Sequence, residues 1–464
     1  MQPNGNPGSS DLHAATAAMH PYASRVFRDL AARVPWEVEF LQAVQEVFET
    51  ITPVLEQTTI YEEEAILERL VEPQRVHAFR VVWHDDRGHI RTNRGWRVQF
   101  NNAIGPFKGG LRFHSSVNLS GLKFLGFEQT FKNALTGLPM GGGKGGSDFS
   151  PRGASDREVE RFCQSFMTSL YKYIGADVDV PAGDIGVGAR EIGYLFGQYK
   201  HLTETFTGVL TGKGLNWGGS ILRPEATGFG LVYFTQKMLE RRGESIEGKR
   251  VAISGFGNVA WGAARKANEL GGKVVTLSGP DGCIYDPEGV SGEKFDYMLE
   301  LRASGNDVIK PYADRYGVEF RPGARPWAVP VDVALPCAIQ NELEINDARQ
   351  LVANGCKYVA EGANMPTTPD AVRVLREGGI VYAPGKASNA GGVGTSGLEM
   401  AQNRTNTHWT AEHVDTELHR IMTGIHDMAW DAAERCGNPG DYLQGANVAG
   451  FLKVADSMVD QGSV

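Results

Sequence analysis

Residues Lys249 to Ser278 constrain the fold of this chain more than any other stretch. Lys249-Arg-Val-Ala-Ile-Ser is an apolar run of strand type, Gly255-Phe-Gly257-Asn-Val-Ala260 follows, a helical pattern continues to about Leu270, and Lys273-Val-Val-Thr-Leu-Ser278 is a second strand. This is a strand–turn–helix–strand unit with Gly-x-Gly-x-x-Ala at its turn. Gly255 and Gly257 permit the turn and let a pyrophosphate approach the helix N-terminus, where unpaired N–H groups favour anions. A glycine motif alone is a weak signal; inside a βαβ unit it points to dinucleotide binding. Further strand-like runs at 331–335, 358–360 and 380–383 each end in a turn: Pro336-Cys-Ala, Glu361-Gly-Ala-Asn and Pro384-Gly-Lys-Ala-Ser-Asn-Ala-Gly-Gly. Strands alternating with helices predict an α/β fold with an open, mostly parallel, Rossmann-like doubly wound sheet and a ligand at the carboxyl ends of its strands.

A second stretch, Asn102 to Asp148, carries the chemistry. Lys108, Lys132 and Lys144 fall among Gly105, Gly109, Gly110, Gly137, Gly141, Gly142, Gly143 and Gly145. Two of the three lysines are expected in glycine-rich turns, where backbone approaches a ligand closely. Ammonium groups converging on one pocket bind anionic substrate groups, and mutual repulsion with desolvation lowers their pKa toward acid–base use. The bland alternative is that each is an ordinary solvated lysine. A phosphate-binding P-loop fails, because Leu138 stands where its first glycine belongs and Gly145 follows Lys144 in place of Ser or Thr.

The remaining chain is organised around these two stretches. Met1 to Ser9 is expected to be a disordered tail. A helical pattern runs from about Asp11 to Leu55, with Phe27, Leu30, Val34, Phe40, Val44, Phe48 and Ile51 at three- and four-residue spacing. Two-residue alternation from Gln74 to Gln99 predicts a strand, the turn Asp85-Asp-Arg-Gly and a second strand. Helices are expected at 119–135, 156–174 and 228–242. Gly175 to Gly188 is expected to be a loop carrying Asp184, which is either a turn former or a catalytic group. Residues 208–227 are expected to be a linker, and 396–458 is helical by its spacing.

Composition excludes several classes. A formal net charge of −9 argues against a nucleic-acid partner. Five scattered cysteines (Cys163, Cys283, Cys337, Cys356, Cys436) carry neither metal-ligand spacing nor a disulfide framework, so no metal is expected and a reducing cytoplasm fits. No apolar run reaches the length of a membrane span, and the polar start suggests no secretory signal.

With both halves in view, the chain resembles the glutamate dehydrogenases of the short bacterial type, within the Glu/Leu/Phe/Val dehydrogenase family. The resemblance covers nearly all of it, from about Val34 onward. It rests on Pro106-Phe-Lys-Gly-Gly-Leu-Arg-Phe-His, Gly137-Leu-Pro-Met-Gly-Gly-Gly-Lys-Gly-Gly, Pro181-Ala-Gly-Asp-Ile-Gly-Val, Arg223-Pro-Glu-Ala-Thr-Gly, Gly362-Ala-Asn-Met-Pro-Thr-Thr and Asn389-Ala-Gly-Gly-Val. It implies a substrate-binding and oligomerisation domain at 1–220, a dinucleotide domain at 221–395, and C-terminal helices at 396–464 returning to the first domain, with the reaction in the cleft. It implies a cytoplasmic homohexamer that interconverts glutamate with 2-oxoglutarate and ammonium, using NAD(P). Matched position by position, Lys144 and Asp184 would be catalytic. Lys108 and Ser396 would hold the side-chain carboxylate. Gln129, Lys132 and Gly183 would hold the α-carboxylate end. Thr227, Asn258, Val259, Ser278 and Asn364 would join Gly255 and Gly257 at the cofactor.

Two alternatives stand beside this reading. A sister dehydrogenase for leucine, valine or phenylalanine needs an apolar slot, against which Lys108 and Ser396 argue. A silent nucleotide-sensing scaffold needs no Lys144 and Asp184. For cofactor choice, Ser278-Gly-Pro-Asp-Gly after the second strand and Phe256 between the fingerprint glycines resemble the NAD-using branch. Asp281 is expected to disfavour a 2′-phosphate, and Arg302 is the residue that would attract one. NAD is therefore expected over NADP.

Overall fold

The structure, a computed structural model, describes residues 16–222, 224–305 and 308–463. The expected tail Met1–Ser9, the start of the N-terminal helical pattern and Arg223 lie outside the described residues. The chain divides into two compact units. One comprises Met1–Ile221, Ser396–Thr410 and Asn447–Val464; the other comprises Leu222–Thr395 and Ala411–Ala446.

The first unit is built on a five-stranded mixed sheet of β1 (Arg75–His84), β2 (Ile90–Asn101), β3 (Phe107–Phe113), β4 (Gly142–Ser147) and β5 (Asp179–Gly183), in the order β1-β2-β4-β3-β5. β1 and β2 form the antiparallel hairpin expected from their alternation, and β3 runs parallel to both β4 and β5. The helix Asp156–Leu170 opens with a capping box between Ser155 and Glu158 and buries Val159, Phe162, Cys163, Phe166 and Met167 at helical spacing. Its apolar stripe packs in one core with Leu111 and Phe113 of β3 and with Ile192 and Leu195 of the helix Ala189–Thr203.

Three expectations are corrected here. Lys108 and Lys144 lie in strands β3 and β4 rather than in turns. Glycine is a poor strand former, but packing overrides propensity in β4. A Cβ on Gly109 would stand 1.7 Å from the Gly143 carbonyl oxygen, and one on Gly142 would stand 2.0 Å from Thr130 Oγ1. Those glycines are needed for close approach of backbone to its neighbours, not for a positive φ. Secondly, Asp179–Gly183 is a strand inside the expected loop. Pro181 is tolerated because β5 is the edge of its sheet. Thirdly, the expected linker is partly core: Val209 and Leu210 are buried, and Thr211 N–H bonds the Pro181 carbonyl.

The second unit holds a seven-stranded sheet of β6 (Arg250–Ile253), β7 (Lys273–Gly279), β8 (Gly282–Tyr285), β9 (Glu319–Pro322), β10 (Val333–Leu335), β11 (Tyr358–Ala360) and β12 (Val381–Ala383). Their order is β12-β11-β10-β6-β7-β8-β9; the first five are parallel, and β8 and β9 add an antiparallel edge. The five parallel strands are almost entirely buried, as strands covered on both faces must be. The helices Ala226–Glu240 and Asn258–Glu269 cross through small residues. A Cβ on Gly228 would stand 2.3 Å from the Ala263 nitrogen.

The C-terminal segment is split between the units. Ser396–Thr410 and Asn447–Val464 group with the first unit, but Ala411–Ala446 groups with the second. Within that second unit, Tyr233 OH donates to Asp415 at 2.8 Å, and Lys266 Nζ lies 3.3 Å from the same carboxylate. The helical spacing expected at 396–458 is present, but spacing does not record which partner a helix chooses.

Candidate active site

In the first unit, the parallel register pairs Leu111 with Gly145, which sets Gly110 of β3 beside Lys144 of β4. Gly110 has no side chain, and its face is occupied by the charged groups of its neighbours. A Cβ there would stand 2.8 Å from the Asp184 Cβ, 3.0 Å from the Gly183 oxygen and 3.4 Å from the Lys144 ammonium. Asp184 directly follows β5 and Lys144 lies within β4, so the two strands that flank β3 deliver an aspartate and a lysine to one point. Lys144 Nζ lies 3.3 Å from Asp184 Oδ2. Arg112, two residues beyond Gly110 and on the same face of β3, donates from Nε to that oxygen at 2.6 Å.

The electrostatics follow from burial and this grouping. Burial pushes the Lys144 pKa down and the Arg112 and Arg97 charges push it further, against the pull of Asp184; it lies below the ordinary lysine value. Lys132 is lowered to about 8, chiefly by burial and then by repulsion from Lys144. Burial opposes ionisation of Asp184, but Lys144 and Arg112 outweigh it, and its pKa lies below the usual carboxylate value. The site therefore holds an aspartate anion beside lysines that exchange protons more readily than free lysine does.

Of the other expected substrate residues, Lys108 and Gly183 lie on β3 and β5, and Lys132 is close enough to Lys144 for their charges to repel. Lys108 is 2% exposed, and its ammonium donates to Thr211 Oγ1 at 2.7 Å. Gln129 and Lys132 lie on the helix Leu119–Leu135, whose Asn118 cap accepts the Gly121 N–H. Gln129 Nε2 donates to Asn133 Oδ1 at 2.7 Å, and Asn133 Nδ2 donates to the Lys108 carbonyl at 3.0 Å. Gly183 ends β5 beside Gly110. Ser396 is buried in the portion of the helix Gly391–Thr405 that belongs to this unit, where a Cβ on neighbouring Gly397 would stand 2.4 Å from Leu138.

Sequence reasoning gave no role to three groups. Arg112 was legible in principle, since Lys108, Gly110 and Arg112 share one face of a strand with only hydrogen in the middle. Arg97 and Asp179, both fully buried, form a bidentate pair with Nε–Oδ2 at 2.8 Å, and Arg97 also donates to the Gly109 carbonyl. Lys213 and Glu399 pair at 2.8 Å and are also buried. These last two pairs join residues distant in sequence, so no local pattern marks them.

In the second unit, Gly255 has φ +87° and its N–H donates to Ser278 Oγ at 2.8 Å. Gly257 caps the helix Asn258–Glu269, and no atom lies within 4 Å of where its Cβ would stand. Open space at Gly257, at a helix N-terminus, fits the pyrophosphate of a dinucleotide. Thr227 lies in the first turn of its helix, 2.6 Å from the Cβ position of Gly392. Val259 packs near Gly362, and Asn364 Oδ1 accepts from Asn389 Nδ2 at 2.9 Å. The Asp281 carboxylate accepts the N–H groups of Ile309 and Lys310 at the start of the helix Lys310–Tyr316. Arg302 reaches the fingerprint turn, donating to the Phe256 carbonyl at 2.7 Å and to Asn258 Oδ1 at 2.9 Å. Among the described residues, no group of three or more His, Cys, Asp or Glu is placed to hold a metal, and no helix is long and apolar enough to cross a membrane.

Residues 218–462 match the family model described as Glutamate/Leucine/Phenylalanine/Valine dehydrogenase, and residues 73–201 match its dimerisation domain. The chain is 61% identical over 441 residues to the NAD-specific glutamate dehydrogenase of Bacteroides fragilis, covering 95% of this chain and 99% of that one. It is 57% identical over 432 residues to the NADP-specific glutamate dehydrogenase of Escherichia coli, covering 93% and 96%. A solved glutamate dehydrogenase superposes with a TM-score of 0.94 at 56% identity, covering 96% of this chain and 100% of the other. With the lysine–aspartate site in one unit and the dinucleotide turn in the other, the chain belongs to the Glu/Leu/Phe/Val dehydrogenase family.

Proposed function

We propose that the chain catalyses the reversible oxidative deamination of L-glutamate to 2-oxoglutarate and ammonia, with a nicotinamide cofactor as the hydride carrier. The buried pairing of Lys144 with Asp184, beside Lys132, carries this reading. The cofactor, when bound, takes up or returns the hydride of the substrate α-carbon. Asp184, held as an anion, accepts a proton from the substrate α-ammonium and returns it to the departing nitrogen. Lys144, with its lowered pKa, takes the proton of the water that adds to the α-carbon and then stabilises negative charge on that oxygen. Overall, glutamate, oxidised cofactor and water give 2-oxoglutarate, ammonium, reduced cofactor and a proton.

Lys132 and Gln129 hold the α-carboxylate, and Lys108 with Ser396 holds the side-chain carboxylate. A buried ammonium at Lys108 would set an aliphatic side chain against a positive charge where a substrate carboxylate fits, which disfavours leucine, valine and phenylalanine as substrates. The first unit serves as the substrate-binding and oligomerisation domain and the second as the dinucleotide domain. Gly255, Gly257, Asn258 and Val259, with Thr227 and Asn364, would hold the dinucleotide, the open turn at Gly257 receiving its pyrophosphate. Ser278 acts by shaping the turn at Gly255. NAD is the favoured cofactor, supported by Phe256 between the glycines and by the NAD-specific relative. The chain assembles as a cytoplasmic homohexamer; the match of residues 73–201 to a dimerisation domain supports association of its subunits.

The decisive assay is ammonia-dependent oxidation of NADH with 2-oxoglutarate, compared with branched-chain and aromatic oxo acids. Turnover confined to 2-oxoglutarate is expected; faster turnover of an aliphatic oxo acid overturns the glutamate reading. Light scattering of the purified protein checks the hexamer.

A further inference from the structure

We propose that Glu361 is a positioning residue for the dinucleotide: its carboxylate ties the turn after β12 to the loop after β11 and thereby fixes Asn364. Both segments lie at the carboxyl ends of parallel strands, the edge at which such sheets bind ligands. The proposal rests on the reading that Asn364 contacts the cofactor.

Glu361 directly follows β11 and is 3% exposed. Its two oxygens are divided between two elements. Tyr382, in β12, donates its hydroxyl to Oε1 at 2.7 Å, and the Gly385 N–H, in the turn beyond β12, donates to Oε2 at 2.7 Å. The same residue is tied through its backbone as well: its carbonyl accepts Ser388 Oγ at 2.7 Å and its N–H donates to the Ala383 carbonyl at 3.2 Å. Two residues further on, the Ala363 carbonyl accepts from Asn389 Nδ2 at 2.9 Å, and the same amide reaches Asn364. Glu361 therefore sits at the root of a short loop whose far end is Asn364, and it joins that loop to the segment from Gly385 to Asn389.

The chemistry argues that this carboxylate has a task beyond packing. Hydroxyl and N–H donors meet its charge, no cation among the described residues forms an ion pair with it, and burial pushes its pKa up to about 7. A buried carboxylate without a counter-charge is costly, and an apolar side chain of the same volume is often the more stable choice in a core. A group that fixes two loops with separate oxygens cannot be replaced by such a side chain without freeing both. No substrate contact is assigned to Glu361, so its effect reaches the reaction only through Asn364.

The test uses the full-length enzyme and four variants. Glu361→Leu removes both acceptors at similar volume. Glu361→Gln keeps an oxygen for the Gly385 N–H and offers its NH₂ to the Tyr382 oxygen. Tyr382→Phe removes one donor and keeps the ring. Asn364→Ala tests the underlying reading directly. The expected result is a KM for NADH raised about tenfold in Glu361→Leu, corresponding to about 1.4 kcal/mol, and raised by a smaller factor in Tyr382→Phe. The KM for 2-oxoglutarate should stay within about twofold in both, and Glu361→Gln should restore the wild-type KM for NADH. If Glu361→Leu does not fold, Tyr382→Phe against Glu361→Gln carries the same comparison. Equal changes in both KM values, or an unchanged KM for NADH in Tyr382→Phe, overturns the positioning role while Asn364→Ala still raises that KM. An unchanged KM for NADH in Asn364→Ala overturns the reading of Asn364 and the proposal with it.

Discussion

The Arg112 guanidinium donates to Oδ2 of Asp184 at 2.6 Å, the same oxygen that the Lys144 ammonium approaches at 3.3 Å. Two cations on one carboxylate oxygen keep Asp184 ionised. Arg112 also repels the Lys144 charge, so one guanidinium biases both partners toward the forms that accept protons. Replacing Arg112 with Gln should raise the Asp184 pKa. The anion is then lost at a higher pH as the solution is acidified, and the acid limb of kcat/KM for glutamate should move to higher pH. A pH–rate profile checks this; an unmoved acid limb would show that Arg112 does not govern Asp184.

Lys144→Ala should leave a folded protein with little turnover. General acid–base catalysis contributes about 10²- to 10⁴-fold, and the lost electrostatic stabilisation adds to it. Asp184→Asn should behave similarly, because an amide cannot accept a proton near neutral pH. Single-turnover kinetics with a circular-dichroism check of folding measures both; near wild-type kcat in either variant rules out its proposed role.

The lowered pKa of Lys132, about 8, gives a pH dependence with a definite sign. A lysine pairs with the α-carboxylate only while protonated, so as pH rises through about 8 the free enzyme loses that charge and the KM for glutamate should rise. Lys132→Arg keeps its charge in this range and should flatten the rise, at some cost in geometry. The same increase in both enzymes would place the titrating group elsewhere.

Lys108→Leu combined with Ser396→Val should weaken glutamate handling and admit aliphatic amino acids. Leaving a buried carboxylate without its partner costs about 2–5 kcal/mol, or roughly 30- to several-thousand-fold in kcat/KM. The comparison is kcat/KM for glutamate against norleucine. A loss for glutamate below about fivefold would mean that its side-chain carboxylate binds at other residues.

Cofactor choice should respond to Arg302 and not to Asp281. The Asp281 carboxylate is held by two backbone N–H groups, so Asp281→Asn should change stability more than the ratio of kcat/KM for NADH over NADPH. Arg302 adjoins the fingerprint turn, and Arg302→Gln should lower kcat/KM for NADPH more than for NADH. Measurements at fixed ionic strength decide both. A wild-type preference for NADPH of tenfold or more would overturn the assignment to NAD.

The sequence by itself determined the βαβ unit at 249–278, the β1–β2 hairpin and the main helices, because those signals are local: a period of two or 3.6, a cap, a glycine turn. It also marked Lys108, Lys144 and Asp184, whose motifs are contiguous. It misread the setting of those residues. Pro181 and the glycines 142, 143, 145 and 146 suggest turns by propensity, yet they lie in β5 and β4: Pro181 stands at a sheet edge, and at the glycines neighbouring atoms come too close for a Cβ. Only the tertiary structure decided that Arg112 and Lys144 meet at one oxygen of Asp184, that Asp281 caps a helix, and that Ala411–Ala446 joins the dinucleotide unit. Each depends on which strands lie side by side or which surface a helix covers, and pairing of residues remote in sequence leaves no periodic trace along the chain.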